Sequence, residues 1–258
     1  MQGRDIWLLT LTKGGKAEEK PAILIAAGLD AYHLAGVESS VRIAQQILQN
    51  ASKDSINKVL ESKTIYVVPC VNPDAYEQAF AKLKYERNVN ASNADNDRDG
   101  RLNEDGFEDL NGDGFITLVR IEDPTGNFTN HKDDARVLVK ADASKGETGK
   151  YIIISEGTDN DKDGKWNEDG EGGIVMNKNF THGYPFFTDG AGEFAVSEPE
   201  NRALLDFMYD AKNIYAVFQF GAANNLTEPF KFDRAKATQK IVSGWQEKDV
   251  SINEQVSK

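Results

Sequence analysis

AILIAAGLDAYHLAGVESSVRIAQQIL (Ala22–Leu48) changes its hydrophobic period partway along. Ala22–Ala27 is a continuous apolar run, the mark of a strand covered on both faces. From Gly36 to Asn50, Val37, Val41, Ala44, Ile47 and Leu48 recur at helical spacing, which predicts an amphipathic helix. Outward from this unit, Ile6–Thr12 (IWLLTLT) is a second β-rich run, separated by the polar turn KGGKAEEK, and reads as a neighbouring strand. Thr64–Val68 (TIYVV) is another buried strand, stopped by Pro69. The order strand, strand, helix, strand predicts an α/β fold, a mixed and mostly parallel sheet sandwiched by helices.

From Asn88 to about Gly173 the chain is polar and acidic, interrupted only by Ile116–Ile121 and Tyr151–Ile154, and reads as insertion material. Regular structure returns at Ser197–Asp210, where Ser197 and Glu200 form a capping-box pattern ahead of Ala203, Leu204, Phe207 and Met208. A strand is expected at Ile214–Phe220, and the polar stretch from Ala235 carries only weak helical character. These readings predict one domain over residues 1–258, with acidic insertions at about 91–120 and 156–172. The abrupt start at GRDIWLLTL predicts a domain incomplete at both ends.

Within the insertions a twelve-residue pattern occurs twice, DNDRDGRLNEDG at Asp95–Gly106 and DNDKDGKWNEDG at Asp159–Gly170, and the first copy runs on into DLNGDG at Asp109–Gly114. Carboxylates at alternate positions followed by Gly suit a hard cation that takes oxygen ligands. The expected calcium ligands are Asp95, Asp97, Asp99, Asp105, Asp109, Asn111 and Asp113, with Asp159, Asp161, Asp163 and Asp169. Neither loop is an EF-hand, because Gly106 and Gly170 stand where a bidentate Glu would close the site. Asp105 and Asp169 are the alternative closing ligands.

The formal charge of −12 is largely local, since 14 of the 42 acidic residues lie within Asp95–Gly114 and Asp159–Glu171. That distribution argues for bound cations and against nucleic acid as a partner. The single cysteine, Cys70, excludes an internal disulfide, and its place in YVVPC predicts a buried, inert thiol. The longest apolar stretch, Ala22–Leu29, is too short to span a bilayer. Loops of this type fill most readily at extracellular calcium levels, which predicts an extracytoplasmic location of bacterial type.

Four segments in order carry a family resemblance: AILIAAGLDAYHLAGVE, VPCVNPDAYE, GGIVMNKNF followed by SEPENRALLDFM, and AVFQF leading to NNLTEPF. Together they resemble the zinc carboxypeptidases, the carboxypeptidase A/B-like metallopeptidases, over roughly Gly3 to Phe230. The resemblance implies a peptide or protein C-terminus as substrate and a zinc-bound water as the attacking group. Carried over position by position, it puts Asp30 and His33 in place of the family's His-x-x-Glu zinc ligands, with the two ligand types exchanged. The family's distant His falls at Gln219 or Phe220, neither a usual zinc ligand. Asn177 matches the carboxylate-binding Asn. Lys178 replaces the neighbouring Arg, keeping the charge without the bidentate fork. Arg87 is the candidate for polarising the scissile carbonyl, and the catalytic Glu would lie beyond Lys258.

Two readings follow from the resemblance. One is a metallocarboxypeptidase with an altered active site. The other is a catalytically inactive relative, calcium-stabilised, that binds peptides or partners in the retained cleft.

Overall fold

The computed structural model describes residues 3–30, 32–93, 100–102, 105–160, 162, 164, 172–221, 224, 226–229, 231–238 and 244–257. Asp95, Asp97, Asp99, Asp161, Asp163 and Asp169 lie outside the described residues. The chain divides into two compact units. The first comprises Met1–Ala79, Glu86–Ser92 and Gly173–Lys258, and the second Phe80–Tyr85 and Asn93–Gly172.

The first unit is built on a four-stranded mixed sheet of β1 (Leu9–Leu11), β2 (Ala22–Ala26), β3 (Thr64–Val68) and β8 (Ile214–Gln219), in the order β1-β3-β2-β8. Strand β2 runs parallel to both β3 and β8, and β1 is antiparallel to β3. All five residues of β3 are buried, as a parallel strand covered on both faces requires. The two-residue period sorts the side chains between two cores. Leu24, Ala26, Tyr66 and Val68 pack with Met176 and with Leu204 of α4 (Pro199–Asp210). Ile25, Ile65 and Val67 pack on the other face with Ala44 of α1 (Leu34–Gln49) and Leu60 of α2 (Asp54–Ser62). Each fully buried aliphatic side chain here contributes about 1.5–3 kcal/mol.

Two sequence expectations need correction. Strands β1 and β2 are not neighbours, because β3 lies between them. The polar connection, with its short 3-10 turn at Ala17–Glu19, is long enough to step across β3, and hydrophobic period alone does not select a pairing partner. The capping box is also absent. Helix α4 begins with Pro199 at its first position and Glu198 as N-cap, and no side chain caps it. Pro199 brings no N–H to satisfy, and Ser197 and Glu200 are drawn into other bonds. The Ser197 hydroxyl donates to Glu198 (2.8 Å), while Glu200 accepts from Asn90 (3.3 Å).

The carboxyl ends of the strands are sewn together by the loops that leave them. Val71 and Asn72 donate to the carbonyls of Ala27 and Gly28 (both 3.0 Å), and Phe220 donates to Ala26 (2.9 Å). Gly28 has φ +70°, and a Cβ there would stand 2.9 Å from Cys70 Sγ and 3.0 Å from Cys70 Cα. Only glycine fits that crossing. Asn72 then caps α3 (Pro73–Gln78), its side-chain oxygen accepting from Ala75 N (3.2 Å).

The second unit holds an antiparallel sheet of β4 (Leu118–Glu122), β5 (Phe128–Asn130), β6 (Leu138–Lys140) and β7 (Tyr151–Ser155), in the order β4-β7-β5-β6. The two apolar runs seen in the sequence form β4 and β7, paired over five residues. Strands β5 and β6, three residues each, are too short to carry such a signal. Helices α5 (Arg234–Thr238) and α6 (Glu247–Val256) close the C-terminal region of the first unit. No helix among the described residues is long and apolar enough to cross a membrane.

Candidate functional site

Three chain segments meet at the carboxyl edge of the first sheet. Asp30 follows β2, Asn177 sits in a 3-10 turn at Met176–Lys178, and Gln219 is the last residue of β8. Asn177 Nδ2 donates to the Asp30 carboxylate, and Gln219 Nε2 donates to Asn177 Oδ1 (3.3 Å). A Cβ at Gly221 would lie 3.1 Å from Asp30 Oδ2, so the chain leaving β8 passes directly over this carboxylate. Asp30 is buried, which makes such a donor necessary. The result is a continuous amide–amide–carboxylate chain across three elements.

His33 stands one turn further on, as the N-cap residue of α1, and its N–H donates to the Asp30 carbonyl (3.0 Å). Its ring packs on Tyr32 at 4.4 Å between centroids. His33 Nε2 is buried and has no hydrogen-bond partner among the described residues. That orphaned nitrogen, together with the Asp30 carboxylate, offers two donors that zinc accepts. The third position is different. Gln219 brings an amide that is already engaged with Asn177, and zinc sites take three or four thiolate, imidazole or carboxylate ligands. Among the described residues no group of three or more His, Cys, Asp or Glu side chains could hold a metal ion. The donor set therefore does not fit a zinc centre.

Lys178, beside the exposed Asn177, is half-buried, and its ammonium donates to the Asp189 carbonyl (2.9 Å). Arg87 is placed elsewhere. It is buried, and its guanidinium turns back on its own loop to the carbonyls of Val89 (3.1 Å) and Asn90 (2.8 Å). The contacts that define it belong to the Asn90 lattice, whereas Asp30, Asn177 and Gln219 form their own.

That lattice holds the Met176–Lys178 turn in place. Asn90 donates to Glu198 (2.6 Å) and to both oxygens of Glu200, and accepts from Ile174 N (2.9 Å). Ser92 adds a donor to Glu198. Asn179 donates to the carbonyls of Ala191 (2.8 Å) and Phe194 (3.1 Å) and accepts from Glu198 N (3.1 Å). Asn201 donates to the Met176 carbonyl (2.9 Å). Asn90, Asn179 and Asn201 are fully buried. Burial pushes the Glu200 carboxyl above its ordinary range, and the Glu198 charge adds to the shift against the lowering effect of the Glu200 backbone N–H and Asn90. Sequence reading did not identify this lattice. Its one visible sign was the density of Asn and Glu in MNKNF and SEPEN.

Cys70 has its thiol pushed up to about 11, mainly by burial, so it is neutral and unreactive near pH 7. In the second unit Asp109 accepts from the N–H groups of Gly112 (2.7 Å), Asp113 (3.2 Å) and Gly114 (2.8 Å). Asn111 and Asp113 likewise accept from Asp113 N and Phe115 N (both 2.9 Å). The DLNGDG segment thus forms a turn that satisfies its own backbone. Asp105, buried at the end of the first repeat, accepts from Asn160 Nδ2 (3.1 Å) in the second repeat. Asp159 accepts from Lys162 N (2.6 Å) and Gly164 N (3.0 Å).

The sequence model of the family described as Zinc carboxypeptidase matches residues 1–242. A Zinc carboxypeptidase of Saccharothrix mutabilis subsp. capreolus is 33% identical over 82 residues, covering 31% of this chain and 19% of that protein. Zinc carboxypeptidase A 1 of Drosophila melanogaster is 35% identical over 78 residues, 29% of this chain and 18% of that protein. The matched stretches thus span about a fifth of these relatives. The carboxypeptidase A structure from Helicoverpa armigera aligns with 87% of this chain and 39% of its own, at 13% identity and a TM-score of 0.49.

Proposed function

The chain belongs to the zinc carboxypeptidase family, and on that premise we propose that it binds peptide C-termini without hydrolysing them. One observation carries this reading. Of the two positions where the family's distant His can fall, Phe220 packs against the core under α1, and Gln219 reaches the site, its amide bonded through Asn177 to Asp30. With one carboxylate and one imidazole as the conventional donors among the described residues, the activated water of the family lacks a third ligand to hold its metal.

Recognition falls to the 177–178 turn. Lys178 supplies the positive charge for a terminal carboxylate, and Asn177 sets the depth at which the peptide end stops. The lysine offers a point charge and no planar fork, so recognition is looser than an arginine would give. Arg87 acts in this reading as a positioning residue. It fixes the Asn90 backbone, and Asn90 fixes the start of α4.

A fluorescent peptide with a free C-terminal carboxylate, compared with the same peptide amidated, tests the proposal by anisotropy. The acid is expected to bind about tenfold more tightly, in line with one charge-assisted contact. Lys178→Ala should abolish most of that difference. Mass spectrometry after incubation with added zinc should find no residue released above the protein-free control. Release of the terminal residue would establish the enzyme reading instead, and equal binding of acid and amide would remove the C-terminus from the proposal.

The acidic repeats support a calcium-stabilised second unit, and with it an extracytoplasmic setting where calcium is millimolar. The repetition of the motif supports this, as does the bond between Asp105 of one copy and Asn160 of the other. Adding EDTA should lower the melting temperature, and calcium but not magnesium should restore it. An unchanged melting temperature would count against calcium.

A further inference from the structure

A cavity of about 440 Å³ opens on a part of the first unit that shares no lining residue with the Asp30 site. Its walls come from the N-terminal segment, through Arg4, Asp5 and Trp7, and from α3, through Pro73, Tyr76 and Glu77. Charge in it is unbalanced. Arg4 is bonded to the buried Asp74 at 2.8 Å, so its positive charge is matched inside the fold. Asp5 and Glu77 are ion-paired with no cation among the described residues.

The rings add to the negative potential. Trp7 is 68% exposed, with no core role that would account for an indole at this position. The Tyr76 hydroxyl donates to Glu38 (3.0 Å), which makes the ring more electron-rich and places a third carboxylate behind it. Tyr76 is pushed up to about 12 by burial and by Glu38, so its hydroxyl keeps its proton and this bond persists at neutral pH. Two aromatic faces beside unbalanced carboxylates favour a positively charged group that has an apolar stem.

We propose that this cavity binds an organic cation: an ammonium or guanidinium on an aliphatic stem, as carried by a lysine or arginine side chain of a peptide. The proposal does not rest on the C-terminus reading and would stand if that reading failed.

The probes are N-acetyl-lysine methylamide, N-acetyl-arginine methylamide and the uncharged N-acetyl-norleucine methylamide, titrated into the intact ¹⁵N-labelled chain. The readout is the Trp7 indole N–H resonance, one of three tryptophan signals, assigned with Trp7→Phe. The two cationic probes should saturate with Kd values of about 1 mM, as exposed cation–π and ion-pair contacts permit, and norleucine should bind at least about tenfold more weakly. Glu77→Gln combined with Asp5→Asn should weaken the lysine probe about fivefold, and 0.5 M NaCl should act in the same direction. Trp7→Ala should abolish binding, followed calorimetrically. Should Trp7→Ala misfold, the isosteric carboxamide pair carries the test. Equal binding of norleucine, or binding untouched by the carboxamide pair, overturns the proposal, as does a lack of saturation at about 50 mM probe.

Discussion

Gln219→His is expected to convert a chain that loses zinc on dialysis into one that retains about one ion per molecule. The three positions already lie at one sheet edge. Asp30 and Gln219 are both bonded to Asn177, and His33 follows Asp30 by one turn, its Nε2 buried and without a hydrogen-bond partner among the described residues. An imidazole at 219 would bring the donors to one carboxylate and two nitrogens, the number zinc requires. Moving from two such ligands to three should tighten zinc by at least about 100-fold, or ~2.8 kcal/mol. Competition against a chromophoric chelator measures this, with elemental analysis as the check on stoichiometry. His33→Ala in the Gln219→His background should erase the gain, since it returns the site to two donors. Asn177→Ala in that background should act in the opposite direction, because it releases the Asp30 carboxylate from its amide. The idea fails if the unaltered chain already holds zinc tightly, or if the histidine adds nothing.

The architecture of the first sheet was legible because its signals are local. Ala22–Ala27 and Thr64–Val68 read as continuous apolar runs because both faces of β2 and β3 are covered, and the α1 stripe faces one core at helical spacing. What the period could not supply was pairing, so β3 between β1 and β2 was not foreseen. Strands β5 and β6, at three residues each, are too short to show any period.

The site divides along the same line. Asp30 and Asn177 lie 147 positions apart and were brought together by family resemblance, which fixes order along the chain. Arg87 met the requirement for an arginine after NPDAYE, yet its guanidinium is used by two backbone carbonyls three residues away or less. A short loop that leaves its carbonyls buried calls for an internal cation-type donor, and sequence spacing cannot separate that need from a catalytic one. The Asn90–Glu198 bond spans 108 positions between segments that share no period or motif, so no local signal could have disclosed it.

Asn90→Leu is expected to cost about 3–5 kcal/mol of stability at neutral pH, the largest effect of any single substitution considered in the first unit. Asn90 is fully buried, and its one amide donates to Glu198 and Glu200, which are themselves 6% and 1% exposed. Its side-chain oxygen also takes the Ile174 N–H. A leucine would take the amide donor from both carboxylates, leaving Glu198 with the Ser92 and Ser197 hydroxyls, and removing one partner of a buried charged group costs far more than the net worth of the bond. Urea unfolding monitored by circular dichroism would report the loss. Glu200→Gln supplies the companion test through pH. Burial first, and the Glu198 charge after it, raise the folded-state Glu200 carboxyl above the ordinary value of 4.5. A proton held more tightly in the folded than in the unfolded chain gives its full stabilisation below that ordinary value, and the stabilisation is lost as pH rises through the raised one. Glutamine stays neutral throughout. Relative to the unaltered chain, Glu200→Gln should therefore gain stability as pH climbs from the acid side to neutrality, and in the Asn90→Leu background it should recover part of the loss at neutral pH only. A difference between Glu200→Gln and the parent that does not change with pH would show that Glu200 is not held as a tightly protonated carboxyl. Asn90 would then act on Glu198 alone.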